Sequence, residues 1–385
     1  MEFTDSFDEL TAPQTDRRVI QLTDGPGFCY PLYYYIPSLT TDGELIYHRA
    51  HDDNVQLYRL DLATGGSSRL TDATAEDTHW RPWGTDPGTG VLDHRSALNV
   101  PRGEVVYFDG TDVRCVDVSS GADESLFSLP SDRFSLGQPC FTPDGDWFVY
   151  IHHDREMYET LFEDGRFDRH RSTGTVLAAY HLDTGEHRAL VRINSAIHHV
   201  IPYDDQHLVF CHPPTGGGML LTDLRGDWYA HLRTPCEQGS TINHYVATAR
   251  GIVYEVLVGS EPFKSGLYDP HTHDRFEFGL PEYFGYTHTG YDPDGKLFFY
   301  ETEGGRGHEM VYLDRYSETG DHEWQPIVGD WPTYGSKQKS HFHPRMTPDR
   351  DWIIFVAGDP TTETNQIFAV DVADLNYTQG IPGLI

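Results

Sequence analysis

Tyr291-Asp292-Pro293-Asp294-Gly295 leads into Leu297-Phe298-Phe299-Tyr300 and, after a polar gap, Val311-Tyr312-Leu313-Asp314. The phrase reads as a tight turn, an apolar strand and a second strand ending in aspartate, because Asp-Gly between apolar runs marks a hairpin. It recurs along the chain. Ser38-Leu39-Thr40-Thr41-Asp42-Gly43 precedes Leu45-Ile46-Tyr47, followed by Leu57-Tyr58-Arg59-Leu60-Asp61-Leu62 and Thr64-Gly65. Phe141-Thr142-Pro143-Asp144-Gly145 precedes Trp147-Phe148-Val149-Tyr150, followed by Ala179-Tyr180-His181-Leu182-Asp183. Met346-Thr347-Pro348-Asp349 precedes Trp352-Ile353-Ile354-Phe355, followed by Ile367-Phe368-Ala369-Val370-Asp371. Weaker copies lie at Val105-Val106-Tyr107, Leu208-Val209-Phe210 and Ile252-Val253-Tyr254, which makes seven.

The apolar runs are short, β-branched or aromatic, and no long helical periodicity competes with them. Repeats of about fifty residues carrying several strands each predict the blades of a propeller. The expected fold is all-β, a seven-bladed β-propeller forming one domain over residues 1–385. Arg18-Val19-Ile20-Gln21-Leu22-Thr23-Asp24 echoes the blade-closing Ser68-Arg69-Leu70-Thr71-Asp72, so the N-terminal strand is expected to complete the last blade and latch the ring. A two-sheet sandwich or two separate β-domains are the alternatives. A chain of 385 residues is too long for one simple core, which favours a repeat architecture.

Composition narrows the partners. Sixty Asp and Glu stand against 28 Lys and Arg, a formal net charge of −32, and Lys264, Lys296, Lys337 and Lys339 are the only lysines. Such a surface repels itself unless salt screens it. This predicts adaptation to a salt-rich cytoplasm, as in haloarchaea, and excludes nucleic acid, whose phosphates nothing here would neutralise. Cys29, Cys115, Cys140, Cys211 and Cys236 are scattered without CxxC spacing, as expected of buried thiols. The acidic start Met1-Glu2-Phe3-Thr4-Asp5 lacks an apolar targeting core, and no run is long and apolar enough to span a membrane. A soluble, cytoplasmic protein is expected.

Histidines recur at blade entrances. His198-His199 precede the fourth blade, His244 opens the fifth, His288 lies just before the sixth, and His341 and His343 precede the seventh. Gln338-Lys339-Ser340-His341-Phe342-His343-Pro344 places two imidazoles at i and i+2, on one side of an extended segment, with an amide three positions earlier. Equivalent places in successive blades face one region of the channel. His288, Gln338, His341 and His343 are therefore candidate ligands of a single metal ion. Imidazoles suit several divalent transition metals, and an amide oxygen favours a harder one. Separate, hydrogen-bonded loop histidines are the structural alternative.

An ion held by neutral ligands keeps its full charge and can bind an anionic substrate. A uronic-acid carboxylate bound there would gain a more acidic C5 proton. A base could remove that proton while the 4-linked oxygen leaves, which is β-elimination. Histidine, whose unperturbed pKa is about 6.5, suits a base working near neutrality, and His244 is the candidate.

At these residues the chain resembles the oligogalacturonate lyases, polysaccharide lyase family twenty-two, which are seven-bladed propellers. Gln338 through Asp349 follows the family's Q-x-x-H-x-H-P-x-x-T-P-D segment. Ser240-Thr241-Ile242-Asn243-His244 lies where the family has its catalytic histidine, and His288 where it has a third metal-binding one. His199, with Phe210-Cys211-His212 downstream, resembles the family's H-P-x-Y…F-C-H-E segment. The resemblance implies a manganese ion, His244 as base, His199 as a substrate-binding residue and an oligogalacturonide substrate from pectin. Where the family places an arginine shortly after F-C-H, this chain reads Thr215-Gly216-Gly217-Gly218-Met219. Arg49, Arg81 and Arg233 are the candidates to supply that charge from other loops. A lyase for another uronide and a non-catalytic binding propeller are the remaining readings. The abundant tyrosines, Tyr33, Tyr34, Tyr35 and Tyr245 among them, are expected mostly in the core.

Overall fold

The computed structural model describes residues 1–77, 88–92, 94–159, 173–194, 197, 199–211, 218–233, 240–258, 261–280, 287–303, 308–317, 322–335 and 340–375. Its strands fall into seven sheets, each built mainly from antiparallel neighbours in chain order. Phe28–Pro31, Glu44–His51, Asn54–Asp61 and Ser67–Arg69 make the first blade, to which Gly88–Gly90 adds a parallel pairing. Blades two to six follow, their innermost strands at Ala97–Asn99, Cys140–Phe141, Val200–Pro202, Ser240–Thr248 and Thr287–Thr289. These seven sheets form the expected seven-bladed β-propeller.

The seventh blade is assembled from both ends of the chain. Arg345–Met346, Trp352–Asp359 and Thr364–Asp371 are followed outward by Arg18–Gln21 and Asp8–Thr11. Val19 pairs with Val370, Ile20 with Ala369 and Gln21 with Phe368. The echo between the two Leu-Thr-Asp stretches extends to individual bonds. Thr23 Oγ1 donates to Gln366 Oε1 at 2.9 Å and accepts from Ile367 N at 2.9 Å. Thr71 Oγ1 donates to Gln56 Oε1 at 2.8 Å and accepts from Leu57 N at 2.9 Å. One buried hydroxyl thus satisfies a side-chain amide and a backbone amide in each blade.

The repeated turns share a mechanism. Thr142 Oγ1 donates to Asp144 Oδ1 at 2.6 Å and accepts from Trp147 N at 3.1 Å, while Gly145, at φ 77°, closes the turn. In the last blade Thr347 Oγ1 repeats both bonds, to Asp349 Oδ1 at 2.6 Å and from Trp352 N at 3.2 Å. There Arg350 takes the glycine's place at φ 68° and donates to Asp292 Oδ1 of the preceding turn at 2.6 Å. A non-glycine residue accepts a left-handed backbone here where an ion pair ties adjacent blades.

Core residues from neighbouring blades interlock around the channel. Cys29, Cys115, Cys140 and Cys211 are buried free thiols, and Cys236 lies outside the described residues. Among the described residues no helix is long and apolar enough to cross a membrane.

The channel is not open through its length. Leu32-Tyr33-Tyr34-Tyr35-Ile36, which follows the first inner strand, is buried across it. The guanidinium of Arg345, itself buried, donates to Ile36 O at 2.7 Å and also bonds Ser38 Oγ and Leu32 O. It thereby clamps both ends of the tyrosine segment. On one side Tyr33 and Tyr34 meet a cluster of histidines. On the other, Tyr35 faces a mostly apolar cavity of about 380 Å³ bordered by Val100, Pro101, Pro143, Tyr203 and Pro293.

Candidate metal centre and adjoining histidine

His288 occupies the middle of Thr287–Thr289, the inner strand of the sixth blade, inside the strand rather than before it. Its direct cross-strand partner is Glu301, on Phe299–Glu303. Opposed side chains in an antiparallel pair lie close enough to bond, and His288 Nδ1 bonds Glu301 Oε1. The same oxygen lies 3.1 Å from His341 Nδ1. The other carboxylate oxygen accepts the backbone N–H of His343 at 2.9 Å. One buried carboxylate therefore contacts all three candidate metal-binding histidines.

His341 and His343 reach one side as expected, but not along a strand. Their segment is irregular, His343 stands at φ 46°, and buried Phe342 anchors it against Phe355 and His308. The ring centroids of His288 lie 4.6 Å from those of both His341 and His343, which are 5.6 Å apart. Such spacings suit imidazoles converging on one ion through metal–nitrogen bonds of about 2.1 Å. Ligand atoms of His288, Glu301 and His341 all lie within 4.8 Å of one another. His343 Nε2 is buried and has no hydrogen-bond partner among the described residues. With Nδ1 of His288 and His341 turned to a carboxylate, their Nε2 atoms are the ones presented for coordination, a common second layer of metal sites. The donor set therefore fits a divalent transition ion. Gln338 lies outside the described residues.

Burial, then the neighbouring imidazoles, holds His288 and His343 well below the usual histidine range. Both are neutral and ready to coordinate. Burial pushes Glu301 upward, but His341, His343 and His308 outweigh it and hold the carboxyl down at about 2. The carboxyl stays ionised.

His244 adjoins this cluster from the fifth blade, its ring centroid 4.1 Å from that of His288. Ladder partners run from Asn243–Glu255 directly to Tyr245–Tyr254, so His244 is the extra residue of a β-bulge. Bulges re-aim a side chain and are common beside active sites. The bulge leaves both Ile242 and Tyr245 buried while His244 Nδ1 lies 3.2 Å from Glu255 Oε2. His199 lies 5.7 Å from His244 between ring centroids, and its Nε2 is 3.2 Å from the Tyr33 hydroxyl. Tyr245 donates its hydroxyl to His199 O at 2.8 Å. The structure thus brings His199, His244, His288, His341 and His343 to one end of the channel.

The arginine candidates do not join them among the described contacts. Arg49 lies on the opposite face of its strand from His48 and donates to Asp24 O at 2.9 Å and Pro26 O at 3.1 Å. It also packs over Tyr58. Arg81 lies outside the described residues, as does the side chain of Arg233, which ends the strand Ala230–Arg233.

Glu255 and Glu301, which hold the histidines of the site, escaped the sequence reading. Each follows a tyrosine within an otherwise apolar run, Ile252-Val253-Tyr254-Glu255-Val256 and Leu297-Phe298-Phe299-Tyr300-Glu301. A carboxylate at matching places in two buried strands is a usable signal, since an unpaired buried charge is costly.

Comparison with known proteins agrees with this geometry. A family model described as oligogalacturonate lyase matches residues 2–251, more than half of the chain. An oligogalacturonate lyase of Dickeya dadantii is 24% identical over 389 residues, covering 91% of this chain and 93% of that protein. An oligogalacturonide lyase of Pectobacterium atrosepticum is 21% identical over 371 residues, covering 89% and 90%. Among solved structures, an oligogalacturonate lyase in complex with manganese superposes with a TM-score of 0.78 at 22% identity, covering 95% of this chain and 96% of its own. The Vibrio parahaemolyticus oligogalacturonate lyase gives 0.77 at 18% identity, covering 96% and 98%. The structural likenesses establish the propeller, and the family match extends it to descent: this chain belongs to the oligogalacturonate lyase family.

Proposed function

We propose that the protein is a metal-dependent oligogalacturonate lyase that cleaves short 4-linked galacturonides by β-elimination. The observation that carries this reading is the proximity of His244 to the His288, His341 and His343 cluster, with a buried carboxylate behind each. The family match and the manganese complex of a structurally similar lyase support it. His288, His341 and His343 would hold the ion, with Gln338 as a fourth ligand, and manganese is the ion we assign. When bound, such an ion neutralises a uronate carboxylate and makes the neighbouring carbon acid more acidic.

This chain's own residues do the rest. His244, its Nδ1 committed to Glu255, takes the C5 proton at Nε2. As the C4–oxygen bond breaks, a C4=C5 double bond forms and the leaving oxygen takes up a proton from water. Tyr33 and His199 line the same end of the channel and contact the sugar. Tyr33, Tyr34 and Tyr35 close the channel behind the site, so substrate enters from one end. Action in the cytoplasm on short, imported oligomers fits this reading.

The absence of an arginine between Thr215 and Met219 favours a second reading, a lyase for another 4-linked uronide. One assay separates the two. Metal-stripped protein in high salt, reloaded with manganese, is given digalacturonate and then other uronides. Ultraviolet absorbance of the conjugated product should appear with digalacturonate. Absorbance only with another uronide supports the second reading, and none with any uronide rejects a lyase.

A further inference from the structure

We infer that Glu255 is a positioning residue for the reaction: it fixes the tautomer and orientation of His244 and ties that histidine to the metal-binding strand. The inference rests on the lyase reading above. Glu255 is completely buried on Gly251–Val258 and uses its two oxygens on different blades. Oε2 meets His244 Nδ1 at 3.2 Å within the fifth blade. Oε1 accepts from Thr289 Oγ1 at 2.7 Å across the seam to the sixth blade. Thr289 is also buried and directly follows His288 in the chain.

Three consequences follow from this arrangement. An ionised carboxylate is acceptor-only, so the bond to Nδ1 requires the proton there and leaves the lone pair of the neutral ring on Nε2. That is the tautomer a base needs. The bulge that frees His244 from its ladder would otherwise leave its ring without a fixed direction, and the carboxylate supplies one. The Thr289 bond sets the distance between the base and the neighbouring metal ligand, so both act on one substrate. Orientation of a histidine base by a buried acid is worth large factors in turnover.

The test uses full-length protein reloaded with manganese, comparing wild type with Glu255→Gln, Thr289→Val and His244→Ala. Glu255→Gln keeps the volume and removes the charge. It should lower kcat by roughly 10²-fold or more, with KM and manganese content near wild type. Thr289→Val, which frees one oxygen of Glu255, should lower kcat several-fold. Ring nitrogen-15 NMR of the manganese-free wild type, with His244 assigned by its loss in His244→Ala, should show the proton on Nδ1. Wild-type kcat in Glu255→Gln, a loss confined to manganese content, or a His244 proton on Nε2 each overturns the inference. If Glu255→Gln fails to fold, Thr289→Val and the wild-type spectrum decide. Turnover surviving in His244→Ala would instead remove the base assignment itself, so the two failures are distinguishable.

Discussion

Glu301 Oε1 lies 3.1 Å from His341 Nδ1, across the seam between the sixth and seventh blades. The same oxygen bonds His288 within its own blade, so one carboxylate sets the direction of two candidate metal ligands. Outer-layer carboxylates of this kind typically contribute 10–100-fold to metal affinity. Glu301→Gln should therefore weaken manganese binding by about that factor. Calorimetric titration of stripped protein reads this directly, and unaltered affinity would mean that Glu301 does not orient the ligands.

The same residues predict acid sensitivity of the metal-free protein. His288 and His343 sit well below their usual range when folded. The unfolded chain therefore takes up protons first as pH falls, and the stability present above about pH 6.5 is lost below it. Glu301, lowered from 4.5 to about 2, adds stability present above its unfolded value and lost as pH falls toward 2. That second contribution is on the order of 3 kcal/mol. Urea unfolding at fixed salt should show a plateau above pH 7 and a progressive fall from 6.5 to 4. A flat profile across that window would contradict the burial of neutral imidazoles.

Arg345 gives a prediction about the plug. Its fork bonds Leu32 O, Ile36 O and Ser38 Oγ at once, which a lysine ammonium cannot reproduce. Burial lowers its pKa to about 9, so the charge is retained at neutral pH. Arg345→Lys should cost about 2–4 kcal/mol of stability and reduce turnover, because Tyr33 and Tyr34 lose their anchor. An unchanged urea midpoint would show that the tyrosine segment is held by packing alone.

The fold was legible because each blade repeats its turn chemistry locally. Thr142-Pro143-Asp144-Gly145 and Thr347-Pro348-Asp349-Arg350 build the same hydroxyl-to-aspartate turn. Leu22-Thr23-Asp24 and Leu70-Thr71-Asp72 likewise build the same latch. The histidines of the site were legible because they recur near the inner strands of successive blades and combine in His341-Phe342-His343. Glu255 and Glu301 were not, because in a strand one glutamate looks like any outward-facing residue until the register reveals its partner. Tyr33-Tyr34-Tyr35 was expected in the core, but its role as a channel plug depends on Arg345, far away in sequence. Arg49 shows the reverse: a plausible charge by position proves engaged by Asp24 and Pro26 once the loop is folded.

Manganese titration into stripped, high-salt protein, wild type beside His288→Ala and His341→Ala, tests the central claim that the ring gathers these imidazoles around one ion. The account predicts one ion per wild-type chain and strongly reduced binding in both variants. No binding by the wild type, or undiminished binding in either variant, would contradict it.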